Sequence, residues 1–315
     1  MNMNRRDFSR LMAAVLATDS FDTLLADDIE IGSLPAYAGP WMPLFNGTDL
    51  SGWTFFQDGV GETDKTNAVV VEQGQIRMLG PRHTGGARPR FGHIATVREY
   101  ANYHLRLEFK FGDARFEPRL LSKRNSGVLY HMFPERDRVW PNSIEFQLEE
   151  SDVGDAILIN ARCYPGADLG GTPAWPNQVP TDPRPTFPRR EGPRPQIERQ
   201  RVRKNGDFEI IQDWNKIELL AIGNKAAHLV NGRIVNTLYE LEAQDVADRD
   251  VYRPLTNGRI GLEVEAAEVS FRHVEIRQLG SVRVLEAARL LRPNPPRSTI
   301  RPQTSPARRP ASGAS

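Results

Sequence analysis

The sequence predicts an all-β protein, a jelly-roll sandwich of two antiparallel sheets. Between Trp41 and Leu279 the chain consists of short segments of alternating polarity, separated by Gly, Asn and Pro, with almost no run of helical period. The 315 residues are 39% hydrophobic, which is enough apolar material for a substantial core. Seven or more short strands in this stretch favour two stacked sheets over a small barrel.

The clearest predicted strand covers residues 103–111, where every odd position is apolar and every even position is polar. This alternation directs one face into a core and the other toward solvent or a ligand. Asn224 and the pair Asn231-Gly232 predict turns between later strands. The other predicted strands cover residues 127–133, 143–149, 216–222, 226–230, 259–264 and 269–279.

Charge and cysteine content exclude several classes of function. The chain has 41 basic and 40 acidic residues, so no overall field selects nucleic acid. The single cysteine, Cys163, has no partner for a disulfide and is insufficient for a zinc cage. We expect an ordinary half-buried thiol there, no nucleic-acid partner and no transmembrane helix.

Both termini and one internal segment differ in composition from the predicted domain at residues 40–280. Residues 1–30 contain Arg5-Arg6, followed by Phe8 and a short apolar run, and resemble a twin-arginine export signal. This predicts a periplasmic or otherwise exported protein, the alternative being a cytoplasmic one with an amphipathic N-terminal helix. Residues 165–203 form a Pro/Arg-rich insertion, interpreted as a flexible surface segment or as a binding element for anionic sugars. Residues 281–315, with seven arginines and six prolines, predict a short helix and a disordered basic tail.

Several motifs in order along the chain resemble the 3-keto-disaccharide hydrolase family. The opening motif is Pro-Leu-Phe-Asn-Gly-Thr-Asp-Leu-Ser-Gly-Trp at residues 43–53, and later motifs include residues 125–131, 140–148 and 213–215. The resemblance implies a fold similar to concanavalin-type lectins and laminarinases. It also implies a carbohydrate substrate already oxidised at the sugar C3 position, and a partner sugar oxidoreductase that makes it. Asn46, Gly47, Gly52 and Trp53 are interpreted as architectural.

A ketone at C3 makes the hydrogen at C2 acidic, and loss of that proton lets the group at C1 depart by elimination. The enzyme then needs a base, an enolate stabiliser and an acid. We predict His131 and Glu145 as the catalytic residues. Alternation in residues 143–149 places Glu145, Gln147 and Glu149 on one face, within reach of one or two sugar rings. A structural role for His131 remains open.

Two other functions remain open. Laminarinase-like enzymes place two carboxylates at i and i+4 of a strand with an aspartate between them, and here Gln147 occupies the central position between Glu145 and Glu149. This makes a conventional endo-glucanase a disfavoured alternative. The other alternative is a non-catalytic glycan-binding module of the same fold.

The remaining site predictions concern substrate contacts and a metal. Arg106 or Lys110 is expected to stabilise the oxyanion, and Trp140 to stack on a sugar at the rim of the cleft. A divalent metal is a minor hypothesis, because no HxxxH or DxDxDG pattern is present. The predicted substrate-binding residues are Asn125, Arg106, Lys110, Trp140, Gln147, Glu149 and His228, and the metal ligands, if any, are His104, Glu108 and Asp155.

Overall fold

Nineteen β-strands make up the regular secondary structure of residues 39–135, 138–166 and 196–279, the parts of the chain that the computed structural model describes. None of these residues is helical. The strands are β1 (Met42–Pro43), β2 (Trp53–Gln57), β3 (Val69–Glu72), β4 (Gln75–Met78), β5 (Gly92–Thr96), β6 (Tyr100–Ala101), β7 (Tyr103–Arg115), β8 (Gly127–Met132), β9 (Ser143–Gln147), β10 (Ala156–Ile159), β11 (Ala161–Pro165), β12 (Ile197–Glu198), β13 (Arg201–Val202), β14 (Asn215–Ile222), β15 (Lys225–Val230), β16 (Arg233–Gln244), β17 (Tyr252–Pro254), β18 (Asn257–Val264) and β19 (Ala267–Gln278).

The strands form two antiparallel sheets. The 11-stranded sheet has the order β12-β11-β16-β15-β14-β7-β19-β4-β3, with β1 paired to β19 and β17 to β16. The 8-stranded sheet has the order β13-β10-β9-β8-β18-β5-β2, with β6 paired to β18. The predicted all-β, two-sheet jelly roll is therefore confirmed.

The core lies between the two sheets and is filled by alternate residues of their strands. On β7, Tyr103, Leu105 and Leu107 are at most 1% exposed, and the polar residues between them point away from the core. Ile144 and Phe146 of β9 reach the same core from the other sheet. Each sheet therefore has an inward apolar face and an outward face that is available for polar side chains.

A β-bulge interrupts strand β8 and changes the direction of its side chains. Two residues, Tyr130 and His131, share one partner position on β18, and His131 has a φ of 50°. Leu129 and Met132, on either side of the bulge, both belong to a small cluster with Ala95 that is separate from the main core. Regular alternation of the side chains therefore fails at His131.

The opening motif has the architectural role that its sequence predicts. Gly47 and Gly52 have φ values of 81° and 88°, which favour glycine. Asn46 accepts hydrogen bonds from the backbone of the following turn, and the Trp53 indole donates one to the Leu44 carbonyl at 2.8 Å. These contacts fix the entry of the chain into β2.

The predicted export signal and the basic tail lie outside the described residues, as does most of the insertion, so these remain predictions. The described end of the insertion contains two short strands, β12 and β13, which pair with β11 and β10. Cys163 on β11 is buried rather than half-buried, and burial raises the pKa of its thiol to about 12. In the described part of the chain, no helix has the length and apolar character needed to cross a membrane.

Candidate active site

Three glutamates meet on the outward face of the 8-stranded sheet. Glu145 lies on β9, Glu263 on β18, and Glu265 directly after β18. Their apolar neighbours in sequence fill the core, so alternation turns the carboxylates outward. Each of the three is nonetheless at most 6% exposed. We call Glu145, Glu263 and Glu265 the carboxylate cluster.

Gly127 on β8, the strand between β9 and β18, makes room for two of these carboxylates. A Cβ atom at this position would lie 2.5 Å from Glu263 Oε2 and 2.6 Å from Glu145 Oε1. The two oxygens therefore lie no more than about 5 Å apart, with no side chain between them. The missing side chain allows Glu145 and Glu263 to interact directly.

Burial and mutual repulsion raise the pKa values of all three glutamates. Burial is the largest cause for Glu145, followed by the negative charge of Glu265. For Glu263, burial is again the largest cause, followed by the charges of Glu145 and Glu265, whereas the Trp140 indole lowers the pKa. Burial also raises the pKa of Glu265, and Arg119 opposes that shift. Burial and mutual repulsion therefore make Glu145 and Glu263 retain a proton more readily than an exposed glutamate, as expected of two close, buried carboxyl groups.

A cleft of about 430 Å³ lies beside the carboxylate cluster and is within the usual size range of small-molecule sites. Trp140 is 36% exposed, and its ring lies 5.8 Å from that of Phe91. Because Trp140 both lines the cleft and influences the pKa of Glu263, it connects the cleft to the cluster. The lining residues are Asp58, Arg88, Pro89, Arg90, Phe91, Pro118, Val139 and Trp140.

His93 on β5 supports the wall of this cleft. It lies opposite Glu263 in the strand register, and its Nδ1 is 2.9 Å from the Val139 carbonyl oxygen. Burial lowers the pKa of His93 to about 4, so the ring is neutral at pH 7. Since a carbonyl only accepts hydrogen bonds, Nδ1 carries the proton. His93 therefore fixes the segment that carries Trp140.

Ion pairs and an amide hold the other side of the cluster. Glu149 lies beyond the end of β9, and its carboxylate is 3.3 Å from Arg119 and 3.1 Å from Arg201. Gln147 Oε1 accepts hydrogen bonds from the backbone N–H groups of Leu148 and Glu149. Glu149 thus forms ion pairs with two arginines, and the Gln147 side chain is hydrogen-bonded to the backbone. This arrangement differs from a regular i, i+4 carboxylate pair on one strand.

The predicted residue Asn125 also lies at the cluster. Its side-chain amide donates a hydrogen bond to a carboxylate oxygen of Glu265. Of the predicted site residues, the structure therefore gathers Asn125, Glu145, Trp140, Gln147 and Glu149 around one face of the 8-stranded sheet.

The two predicted histidines lie between the sheets instead. His131 is completely buried, with ring contacts to Tyr103 and Tyr130, and neither of its nitrogens has a hydrogen-bond partner in the described part of the chain. Burial lowers its pKa to about 3. Regular alternation along β8 would turn His131 outward, but the bulge turns its ring inward, so the placement needed for its predicted catalytic role is wrong.

His228 is likewise a core residue. Its Nε2 is 3.0 Å from the Tyr130 hydroxyl, its Nδ1 is 3.0 Å from the Gly154 carbonyl oxygen, and its ring stacks on Phe146 at 4.2 Å. Burial lowers its pKa to about 4. The prediction that His228 contacts the substrate is therefore wrong, because its side chain lies inside the sandwich and forms its hydrogen bonds there.

Arg106 and Lys110 lie on the outward face of the other sheet. Arg106 forms an ion pair with Glu275 at 2.7 Å, and Lys110 lies 3.8 Å from Asp213. The outward faces of two stacked sheets point in opposite directions, so these cations are remote from the carboxylate cluster. The prediction that they stabilise an oxyanion beside Glu145 is wrong because their strand belongs to the 11-stranded sheet.

The three suggested metal ligands do not come together. His104 contacts Glu218 at 3.2 Å on the outward face of the 11-stranded sheet, and Glu108 points out from the same strand. Asp155 instead forms a 2.6 Å ion pair with Arg201 at the edge of the 8-stranded sheet. Among residues 39–135, 138–166 and 196–279, no group of three or more His, Cys, Asp or Glu side chains is arranged to hold a metal ion.

Sequence reasoning missed Glu263, Glu265 and His93. A signal for the two glutamates was present, because Leu262-Glu263-Val264-Glu265 alternates as clearly as the 143–149 segment. For His93 there was no such signal, since its position depends on the pairing of β5 with β18.

The fold alone does not determine the function, because double-sheet jelly rolls include lectin domains, viral capsid proteins and cupins. Residues 40–277 match the family described as the 3-keto-alpha-glucoside-1,2-lyase-like domain. The chain belongs to this family, as its motifs predict, and is a carbohydrate-active protein.

Comparison with solved structures finds similar chains at low sequence identity. A candidate glycosyl hydrolase from Parabacteroides distasonis ATCC 8503 is 19% identical, with a TM-score of 0.45 over 81% of this chain and 100% of its own. A laminarinase from Flavobacterium sp. UMI-01 is 14% identical, with a TM-score of 0.41 over 77% and 100%. The carbohydrate-binding module CBM66 from Bacillus subtilis is 8% identical, with a TM-score of 0.35 over 71% and 93%. A comparison with curated proteins finds no match.

Proposed function

We propose that the protein cleaves the glycosidic bond of 3-keto-glycosides, and that Glu145 and Glu263 form its acid–base pair. The observation that carries this proposal is the close approach of these two carboxyl groups across Gly127. The mechanism requires that the pair hold one proton, and the raised pKa values of both carboxyl groups favour its retention. One member can then accept a proton while the other donates one.

The reaction is an elimination followed by addition of water. The ionised carboxylate takes the proton from C2, which the neighbouring ketone has made acidic, and the electrons of the C2–H bond form an enolate with C3. The enolate then returns its electrons to form a C1=C2 double bond, and the bond between C1 and the leaving oxygen breaks. The protonated carboxyl gives its proton to that oxygen. Water finally adds to the product, with oxygen at C1 and hydrogen at C2.

The pair is suited to this reaction because its protonation state is the same before and after each elimination. One carboxyl gains a proton and the other loses one, so the pair still holds a single proton afterwards. Neither group forms a covalent bond to the sugar, so the aspartate that laminarinase-like sites place between two carboxylates is not needed. This accounts for an amide at Gln147, which cannot transfer protons. Trp140 offers a face for the sugar ring at the mouth of the site.

The test compares Glu145→Gln, Glu263→Gln and Glu275→Gln on a 3-keto-disaccharide. Glu275 is a matched control because it is a glutamate in an ion pair on the outward face of the other sheet. We expect kcat/KM to fall about 100-fold or more for the first two variants and little for the control. Equal activity of all three variants, or cleavage of an unoxidised β-glucan but not of the keto sugar, would exclude this function. Binding of unoxidised glycans without any turnover would instead identify a binding module.

Two expectations from the sequence remain proposals. The Arg5-Arg6 motif supports export, and a 3-keto substrate has to be supplied by an oxidation at C3, which implies a sugar oxidoreductase acting earlier. Cell fractionation with and without an Arg5→Lys, Arg6→Lys double substitution tests the first proposal.

A further inference from the structure

Two arginines in the cleft, Arg88 and Arg90, have no carboxylate partner among the described residues. Both are exposed and line the same cleft as Trp140 and Phe91. This distinguishes them from the arginines around Glu149, which are engaged in ion pairs. An arginine fork beside an aromatic surface is well suited to binding a carboxylate on a planar or sugar-like group.

The charge of the cleft favours an anion. Among the described residues that line it, Asp58 is the single acidic one, against the two arginines. Burial raises the pKa values of the three nearby glutamates, which favours their uncharged forms and so weakens the negative charge of the cluster beside the cleft. The positive charge in the cleft is therefore not cancelled by the site that it adjoins.

The position of the cleft relates this charge to the leaving group. Under the proposed function, C1 and C2 of the keto sugar must lie at Glu145 and Glu263. The substituent on C1 departs from that same point, and the cleft is joined to it through Trp140. A leaving group that extends from C1 past Trp140 would place its outer end near Arg88 and Arg90.

We propose that this cleft is a leaving-group subsite for an anionic aglycone, and that Arg88 and Arg90 select glycosides whose leaving group carries a carboxylate. The inference rests on the proposed function, because it uses the position of the reacting carbons. It adds a substrate class to that function: 3-keto-glycosides of carboxylated aromatic or sugar-acid aglycones.

The experiment uses a matched pair of substrates, the 4-carboxyphenyl and 4-carbamoylphenyl 3-keto-glucosides, which have nearly the same shape but differ in charge. We expect the wild-type protein to have a kcat/KM about tenfold higher for the carboxylate. This ratio should fall toward one in the Arg88→Gln, Arg90→Gln double variant and as ionic strength rises. Arg82→Gln is the control, because Arg82 is an exposed arginine that does not line the cleft, and the ratio should be unchanged.

Equal kcat/KM values for the two substrates in the wild-type protein would overturn the subsite while leaving the proposed function intact. A third substrate, phenyl 3-keto-glucoside with a carboxylate at C6, separates the leaving group from the sugar itself. If that compound is preferred and the preference depends on Arg88 and Arg90, the arginines bind an anion on the keto sugar rather than on the leaving group, and the proposal is overturned.

If neither aryl substrate is cleaved, the 3-keto-disaccharide decides about the proposed function, and calorimetric binding of the aryl pair decides about the cleft. Tighter binding of the carboxylate, lost in the double variant, would support the anion subsite. Equal binding would overturn it.

Discussion

Gly127→Ala perturbs the proposed acid–base pair without changing a charged residue. The added Cβ would lie 2.5 Å from Glu263 Oε2 and 2.6 Å from Glu145 Oε1, and ordinary contacts of a Cβ atom begin near 3.4 Å. Each carboxylate must therefore retreat by roughly 0.9 Å. The backbone of Gly127 is not in the left-handed region, so alanine causes no strain of its own there.

The expected cost is mainly catalytic. A displacement of about 1 Å in a positioned catalytic group lowers rates on the order of 100-fold, whereas one methyl group forced into a packed site costs about 1–3 kcal/mol of stability. We therefore expect kcat/KM for a 3-keto-disaccharide to fall about 100-fold. Initial rates of product release, measured well below the melting temperature of the variant, test this.

Gly261→Ala is the matched control for this substitution. Gly261 lies on neighbouring β18, where an added Cβ would meet Met132 and Leu129 at 3.1 and 3.2 Å rather than a carboxylate. It should change stability modestly and leave activity near that of the wild type. If Gly127→Ala retains full activity while it is destabilised, Glu145 and Glu263 do not carry the chemistry, and the reasoning fails.

Three further predictions concern residues inside and outside the cluster. The raised pKa of Glu263 means that this group binds a proton more tightly in the folded than in the unfolded protein, so stability falls as pH rises above the ordinary glutamate value of 4.5. Glu263→Gln should flatten this dependence and melt at a higher temperature than the wild type at pH 8, as thermal melts between pH 5 and 8 will show. His131→Asn places at this position a residue that tolerates a positive φ. Because the His131 ring faces the core, the variant should lose about 1–3 kcal/mol of unfolding free energy in denaturant titrations and keep the wild-type kcat per folded molecule. A lower kcat in fully folded protein would show that His131 belongs to the active site. Arg106→Gln with Lys110→Gln should keep kcat/KM within about twofold, and a tenfold loss would contradict the assignment of these residues to the far side of the sandwich.

The fold could be predicted from the sequence because polarity alternates cleanly in most of its strands. Residues 103–111, 143–147 and 259–264 all lie in strands of the structure, with the expected residues in the core, although the strand predicted for 143–149 ends at Gln147. Strands such as β16 were missed because Arg233–Gln244 mixes polar and apolar residues on both faces. The short edge strands β12 and β13 lack any periodic signal and depend on pairing with distant parts of the chain.

The candidate site could be predicted only in part. Glu145 was found because its strand alternates regularly toward the outward face, and Asn125 because it opens the family motif at residues 125–131, ahead of the bulge in β8. His131 was misplaced because a single bulge residue reverses the direction of a side chain, and the sequence shows no glycine or proline to mark it. Arg106 and Lys110 were misplaced for a different reason: alternation shows that a residue faces outward, but not from which of the two sheets.

Cleavage of a 3-keto-disaccharide in deuterated water, followed by NMR of the released keto sugar, tests the central claim most directly. Elimination through the buried pair predicts deuterium at C2 of the product from the wild-type protein. It also predicts that the Glu145→Gln and Glu263→Gln variants form little product and that an enzyme-free control gains no C2 label on the same timescale. Cleavage at the wild-type rate with the original C2 hydrogen retained throughout would contradict it.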